Sequence, residues 1–106
     1  LTENFRGEIV QRIIRNLLDI QILKLINVEP MWGYMIKKRF EAAFDVKLRH
    51  GALYPTLNAL ERKGFLKSQK QQYKGRMRKV YNITERGREY LEVYNSILKE
   101  QIKNIG

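Results

Sequence analysis

Only one stretch of this chain, Phe65 to Ile83, departs from the helical recurrence of apolar residues, and it is bent back on itself at Tyr73-Lys74-Gly75-Arg76. On either side of that turn, Phe65–Gln72 and Met77–Ile83 are rich in residues that accept an extended backbone. Gly75 supplies the positive φ that a tight hairpin needs. The expectation is a β-hairpin, weakly alternating and polar on both faces. Such a hairpin must be held by something besides its own core. The chain has 106 residues, which suits one domain.

Four helices are expected around the hairpin. From Glu8 to Val28 apolar residues recur at i, i+3 and i+4, beginning with Ile9, Val10, Ile13, Ile14, Leu17 and Leu18. The stripe is wider than one face, which suits a helix packed on its own domain and on a second chain; the plainer alternative is a central core helix. Pro30 pushes Glu29 out of the α region and ends it. Gly33 then admits a second helix, Tyr34–Phe44, with Met35, Ile36, Phe40 and Phe44 on one side and Lys37, Lys38 and Arg39 mostly on the other. After a short connection, Asp45–Arg49, a third helix spans Gly51–Lys63. Pro55 limits its start, Leu53, Leu57 and Leu60 form its inner face, and Gly64 marks its end.

Thr84 caps a final helix, with Glu85 favourable in the first turn. Leu91, Tyr94, Leu98, Ile102 and Ile105 then follow the spacing of a heptad seam. At ~1.5 Å per residue that helix is about 30 Å long, as long as a small domain is wide, so its end needs a partner. Gly87 is costly inside a helix and is expected where the chain packs closely on a neighbouring helix.

Charge falls unevenly on these elements. Of the chain's ten net positive charges, nine lie between Lys47 and Lys79, where ten lysines and arginines face one acid, Glu61. The flanking thirds are nearly neutral. A cationic block of this kind marks a surface for a polyanion, against the bland alternative of a solvated, salt-screened face.

Three helices followed by a two-stranded hairpin is the winged helix-turn-helix order. The fold class expected is mainly α with a small β-hairpin, flanked by long N- and C-terminal dimerisation helices. Residues 1–28 are the N-terminal core and dimerisation helix, 29–83 the winged region, and 84–106 the C-terminal dimerisation helix of a single domain. In this order the third helix enters the major groove and the hairpin touches backbone or minor groove beside it.

Three motifs narrow the reading. Gly51-Ala52-Leu53-Tyr54-Pro55-Thr56-Leu57-Asn58-Ala59-Leu60-Glu61-Arg62-Lys63-Gly64-Phe65-Leu66 resembles the recognition-helix signature of PadR-family transcriptional regulators. Arg78-Lys79-Val80-Tyr81-Asn82-Ile83-Thr84-Glu85-Arg86-Gly87 looks like that family's second wing strand and last-helix start, and Glu29-Pro30-Met31-Trp32-Gly33-Tyr34 is similar to its turn before the second helix. Two positions depart from the pattern: Arg49-His50 stands where many members carry a capping Ser or Thr, and Trp32 where a smaller residue or His is common. The resemblance, to the short subgroup with a single C-terminal helix, implies a homodimer built from the first and last helices. The wide stripe and the heptad seam suggest the same interface independently: Ile9, Ile13, Leu17, Leu91, Tyr94, Leu98, Ile102 and Ile105.

The expected partner is double-stranded DNA, at a roughly palindromic site, with the protein acting as a repressor; the alternative is an architectural protein that coats DNA without sequence choice. A winged module with no nucleic-acid role leaves the basic wing without a use. The resemblance implies a DNA-backbone contact for Tyr54, which is otherwise a core tyrosine. Arg49 and His50 precede the recognition helix and can reach phosphate; His50 is equally readable as an N-cap or loop residue. Thr56 and Asn58 either reach base edges, where Asn can read adenine, or face solvent. Lys74, Arg76, Arg78 and Lys79 are the wing's phosphate or minor-groove candidates, one of which is expected to point away. Lys37 and Lys38 sit on the helix that crosses the backbone. Tyr81 is expected to pack beneath the wing. Tyr90 and Tyr94 are read as dimer core, with a cavity for a small aromatic effector as the alternative.

Other classes are excluded. There is no cysteine and one histidine, His50, so neither a disulfide nor a usual zinc site is expected. No catalytic set and no phosphate-cradling glycine loop is present, so no enzymatic activity and no cofactor is expected. No apolar run approaches the ~18 to 20 residues of a membrane span, and no signal peptide is visible. These features fit the cytoplasm. The chain begins with Leu1, so residues upstream of it are expected.

Overall fold

The computed structural model describes residues 3–105. Helix α1 spans Phe5–Val28, a short strand β1 Met31–Trp32, α2 Gly33–Phe44, α3 His50–Arg62, strands β2 and β3 Leu66–Tyr73 and Arg76–Ile83, and α4 Glu85–Ile105. Every expected element is present within three residues of its expected bounds. Strand β1 was not expected. It pairs antiparallel with β3 (Met31 opposite Tyr81, Trp32 opposite Val80) and extends the hairpin to a three-stranded sheet of order β1-β3-β2.

Local chemistry sets the element ends. Asn4 caps α1, its side chain accepting from the Gly7 amide at 3.0 Å. Glu29 is extended at the other end, as its proline neighbour requires. Helix α3 closes in a Schellman motif: the Gly64 amide donates to Glu61 O at 3.0 Å, the Phe65 amide to Leu60 O at 2.9 Å, and Gly64 has φ 80°. The hairpin turn places both Lys74 (φ 48°) and Gly75 (φ 78°) in the left-handed region, as in a type I′ turn.

The core is one cluster fed by every element up to the wing. Ile22, Leu23 and Ile26 of α1, Ile36 and Phe40 of α2, Leu53, Leu57 and Leu60 of α3, Met31 and Tyr81 of the sheet, and Leu48 from the α2–α3 connection are all buried. Leu48 plugs the turn, and Glu41 fastens it there: its carboxylate accepts from the Leu48 amide at 2.8 Å and from Lys37 Nζ at 3.1 Å. Those partners, the Leu48 amide foremost, hold the Glu41 carboxyl below the usual carboxylate range. A depressed folded value means the contribution is complete above the unfolded value and is lost as pH falls through the folded one. Glu41→Gln should therefore lower the denaturation midpoint at neutral pH, and the gap to wild type should shrink below about pH 4. A gap constant across that range would contradict the role given to Glu41.

Three expectations are corrected. Helix α1 is not continuous: Leu17 has φ −131° and ψ 21°, a break carrying no proline or glycine signature. Leu91, placed in the dimer seam, is buried within its own protomer, in which α4 packs on α1. Gly87 packs on the backbone of Phe65 at the start of the wing, not on a helix. Of the other seam candidates, Ile9, Leu98 and Ile102 are exposed, and Ile13, Leu17 and Tyr94 are half-buried, the Tyr94 ring lying under Lys24. The Ile105 side chain lies outside the described residues.

Candidate nucleic-acid interface

The inner face of the sheet and the exposed flank of α3 bound one groove of about 340 Å³. Tyr54 and Asn58 line it from α3, Met77, Arg78, Lys79 and Tyr81 from β3, and Trp32, Gly33 and Tyr34 from β1 and the start of α2. Strand register explains most of the wing's contribution: Met77, Lys79 and Tyr81 alternate toward α3, while Arg76 and Val80 alternate away; Arg78 shares their register but lines the groove beside Trp32. Tyr81, at the floor, is buried, and that burial pushes its phenol pKa up.

Tyr54 is the pivot between the two helices of the turn. Its ring lies over Gly33, so close that a Cβ there would come within 2.6 Å of the phenol oxygen. One edge stays exposed, and the His50 ring sits 5.4 Å from it, centroid to centroid. On the far side Lys38 Nζ lies 5.4 Å from the Tyr34 ring. Helices α2 and α3 both begin without a side-chain cap, behind Trp32 and Arg49 respectively. The helix dipole favours an anion at that end.

The remaining predicted residues divide. Lys70, Lys74 and Arg76 are exposed on the wing, and Arg49 is exposed before α3; the sequence marks Lys70 as one of the hairpin's cations without giving it a contact. Two wing cations are engaged within the protein. The Arg78 guanidinium lies over the Trp32 ring, its Cζ 3.9 Å from the centroid, with its Nε buried and without an acceptor. Lys79 Nζ pairs with Glu61 Oε1 at 3.3 Å. Lys37 is paired with Glu41. Thr56 points to the other side of α3: its hydroxyl donates to Ala52 O at 2.8 Å, and it lines a separate groove with Ile14, Asp19 and Lys63. The cationic stretch is thus not wholly on one face, since Lys63 lies in that second groove and Lys67 is on the outer face of the sheet, opposite Asn82.

A helix-turn-helix whose second helix is flanked by a basic hairpin defines a winged helix-turn-helix protein. Residues 22–93 match the Transcriptional regulator PadR-like family, and the chain belongs to that family, a family of regulators and not of enzymes. Among solved structures, a transcriptional regulator from Clostridium thermocellum superposes with TM-score 0.76 at 27% identity, covering 89% of this chain and 94% of that one. A PadR family transcription regulator from Clostridium difficile does so with TM-score 0.70 at 30% identity, covering 83% and 97%. Bacillus subtilis PadR, solved in complex with operator DNA, has TM-score 0.67 at 26% identity over 74% of this chain and 45% of that longer one. Among curated proteins none matches this chain. Among the described residues no helix is long and apolar enough to cross a membrane.

Proposed function

We propose that this regulator represses transcription in the cytoplasm as a homodimer, binding a roughly palindromic double-stranded DNA site through α3 and the wing. The observation that carries the reading is the groove between α3 and the wing, lined by Tyr54, Asn58, Arg78 and Lys79, with Lys38 beside Tyr34, His50 beside Tyr54 and Lys70 opposite Lys79. Asn58 is the base-edge candidate within it, while Tyr54 and the exposed wing cations Lys70, Lys74 and Arg76 serve the backbone. The turn at the wing tip adds support. Lys74 holds a left-handed conformation that costs a side-chain-bearing residue about 1 kcal/mol, where Asn or Gly would be comfortable. A lysine kept there has a use for its charge. The relative solved on operator DNA supports the double-stranded DNA partner.

Homodimerisation is supported by apolar surface that one protomer leaves uncovered. Phe5 and Ile9 on α1 and Val93, Ile97 and Ile102 on α4 are each more than half exposed. The radius of gyration, 15.4 Å, exceeds the roughly 13 Å of a compact chain this long, as projecting helices require. Tyr90 stacks on Phe65 within the protomer, ring centroids 4.4 Å apart, so it favours core over an aromatic-effector cavity.

Selection of bound duplexes from a random library tests specificity and symmetry together. The expected outcome is an inverted repeat with half-site centres about one helical turn apart. Recovery of unenriched sequence would favour the coating alternative.

A further inference from the structure

Glu61 is the only acid between Lys47 and Lys79, and it stands on the flank of α3 that faces the wing. Its two oxygens grip two strands at once. Oε2 accepts from the Ser68 hydroxyl on β2, and Oε1 pairs with Lys79 Nζ on β3 at 3.3 Å. Lys79 is also the direct cross-strand partner of Lys70. Like charges directly opposite one another destabilise a ladder, so the carboxylate offsets a repulsion that the wing's own composition creates. The Ser68 hydroxyl first, then Lys79, hold the Glu61 carboxyl below the usual range, and Glu61 raises the Lys79 amine.

A bound phosphate would supply the same negative charge to Lys79. Glu61 and the DNA backbone are therefore competitors for one cation. We propose that Glu61 is a positioning residue for DNA recognition: it docks the wing on the recognition helix and withholds Lys79 from phosphate. The device lowers affinity for arbitrary DNA, which offers only backbone, more than affinity for the proper site, which also offers base edges to α3. Specificity is a difference of affinities, and a built-in repulsive element widens it. The inference rests on the DNA-binding reading above and adds a determinant that is not itself a contact.

Glu61→Gln removes the charge and keeps an acceptor for Ser68. On a random duplex its affinity should rise on the order of tenfold at ~0.15 M salt, and the salt slope of log affinity should steepen by about 2 per dimer as two lysines are released to phosphate. The ratio of affinities for selected and random duplexes should fall. A merely structural role for Glu61 would lower the melting temperature without steepening the slope. An unchanged slope and ratio, or weaker binding to random duplex, would overturn the proposal. Lys79→Gln provides the second arm, should Glu61→Gln fold poorly. With Glu61 in place, Lys79 is withheld, so the slope of this variant should equal that of wild type; a slope shallower by about 2 would overturn the assignment. A wild-type slope near zero would instead remove the DNA binding on which the inference rests.

Discussion

Gly87→Ala should lower the unfolding free energy by about 3 kcal/mol, although helix propensity alone argues for a gain of about 1. The reason is local. A Cβ at position 87 would overlap the Phe65 carbonyl oxygen and come within 2.8 Å of Ile83 Cγ1. Backbone cannot rotate out of the way as a side chain can, so the first turn of α4 would have to withdraw. That turn is fastened to the α3–β2 junction by three bonds and capped within itself by a fourth. The Thr84 amide donates to Phe65 O at 3.0 Å and the Thr84 hydroxyl to Gly64 O at 2.6 Å. The Gly87 amide donates to the Thr84 hydroxyl at 3.0 Å and Arg86 Nε to Lys63 O at 3.0 Å. Each is worth about 1 kcal/mol net, so loosening most of them outweighs the propensity gain. Chemical denaturation measures the difference; an alanine variant as stable as wild type would show that the close approach is not tight.

Changing Lys70, Lys74 and Arg76 together to glutamine should have the largest functional effect. The three are exposed and are free of the internal partners that engage Arg78 and Lys79. If each meets one phosphate, a dimer loses six contacts, and the salt slope becomes shallower by about 5. Affinity at ~0.15 M salt should fall by roughly four orders of magnitude, for specific and random duplexes alike, because phosphate contacts carry no sequence information. The stability of the fold should change little, since these side chains make no buried contact. Arg78→Gln is the instructive contrast: its loss removes packing on Trp32 and should be felt more in stability than in slope. A triple variant that binds as tightly as wild type would show that the wing does not meet the backbone.

Most of the architecture was legible because period and punctuation agreed. Pro30, Gly64, the Lys74-Gly75 turn and Thr84 each stop or start an element for a reason that operates within a few residues. What escaped depends on distant partners. Strand β1 is two residues long, too short for any alternation, and exists because β3 offers it an edge. Leu48 sits alone in a connection, so no periodicity marks it as core. Arg78 looks like any wing cation until Trp32 is brought beneath it. The break at Leu17 falls in a run with strong helical spacing. Leu91 shows the same limit from the other side: a heptad reveals which residues share a face, but not how much of that face the protomer's own core consumes. The charge count located the cationic block correctly and missed that Glu61, its one exception, lies against two strands of the wing.

The central claim is that one side of the molecule, formed by the start of α3 and the tip of the wing, meets DNA. Lysine acetylation read by mass spectrometry, with and without a selected duplex, tests it residue by residue. Duplex should slow modification of Lys70 and Lys74 strongly, while Lys99 and Lys103 on α4 react at the same rate in both conditions. Equal rates at Lys70 and Lys74, or protection by duplex confined to Lys99 and Lys103, would contradict it.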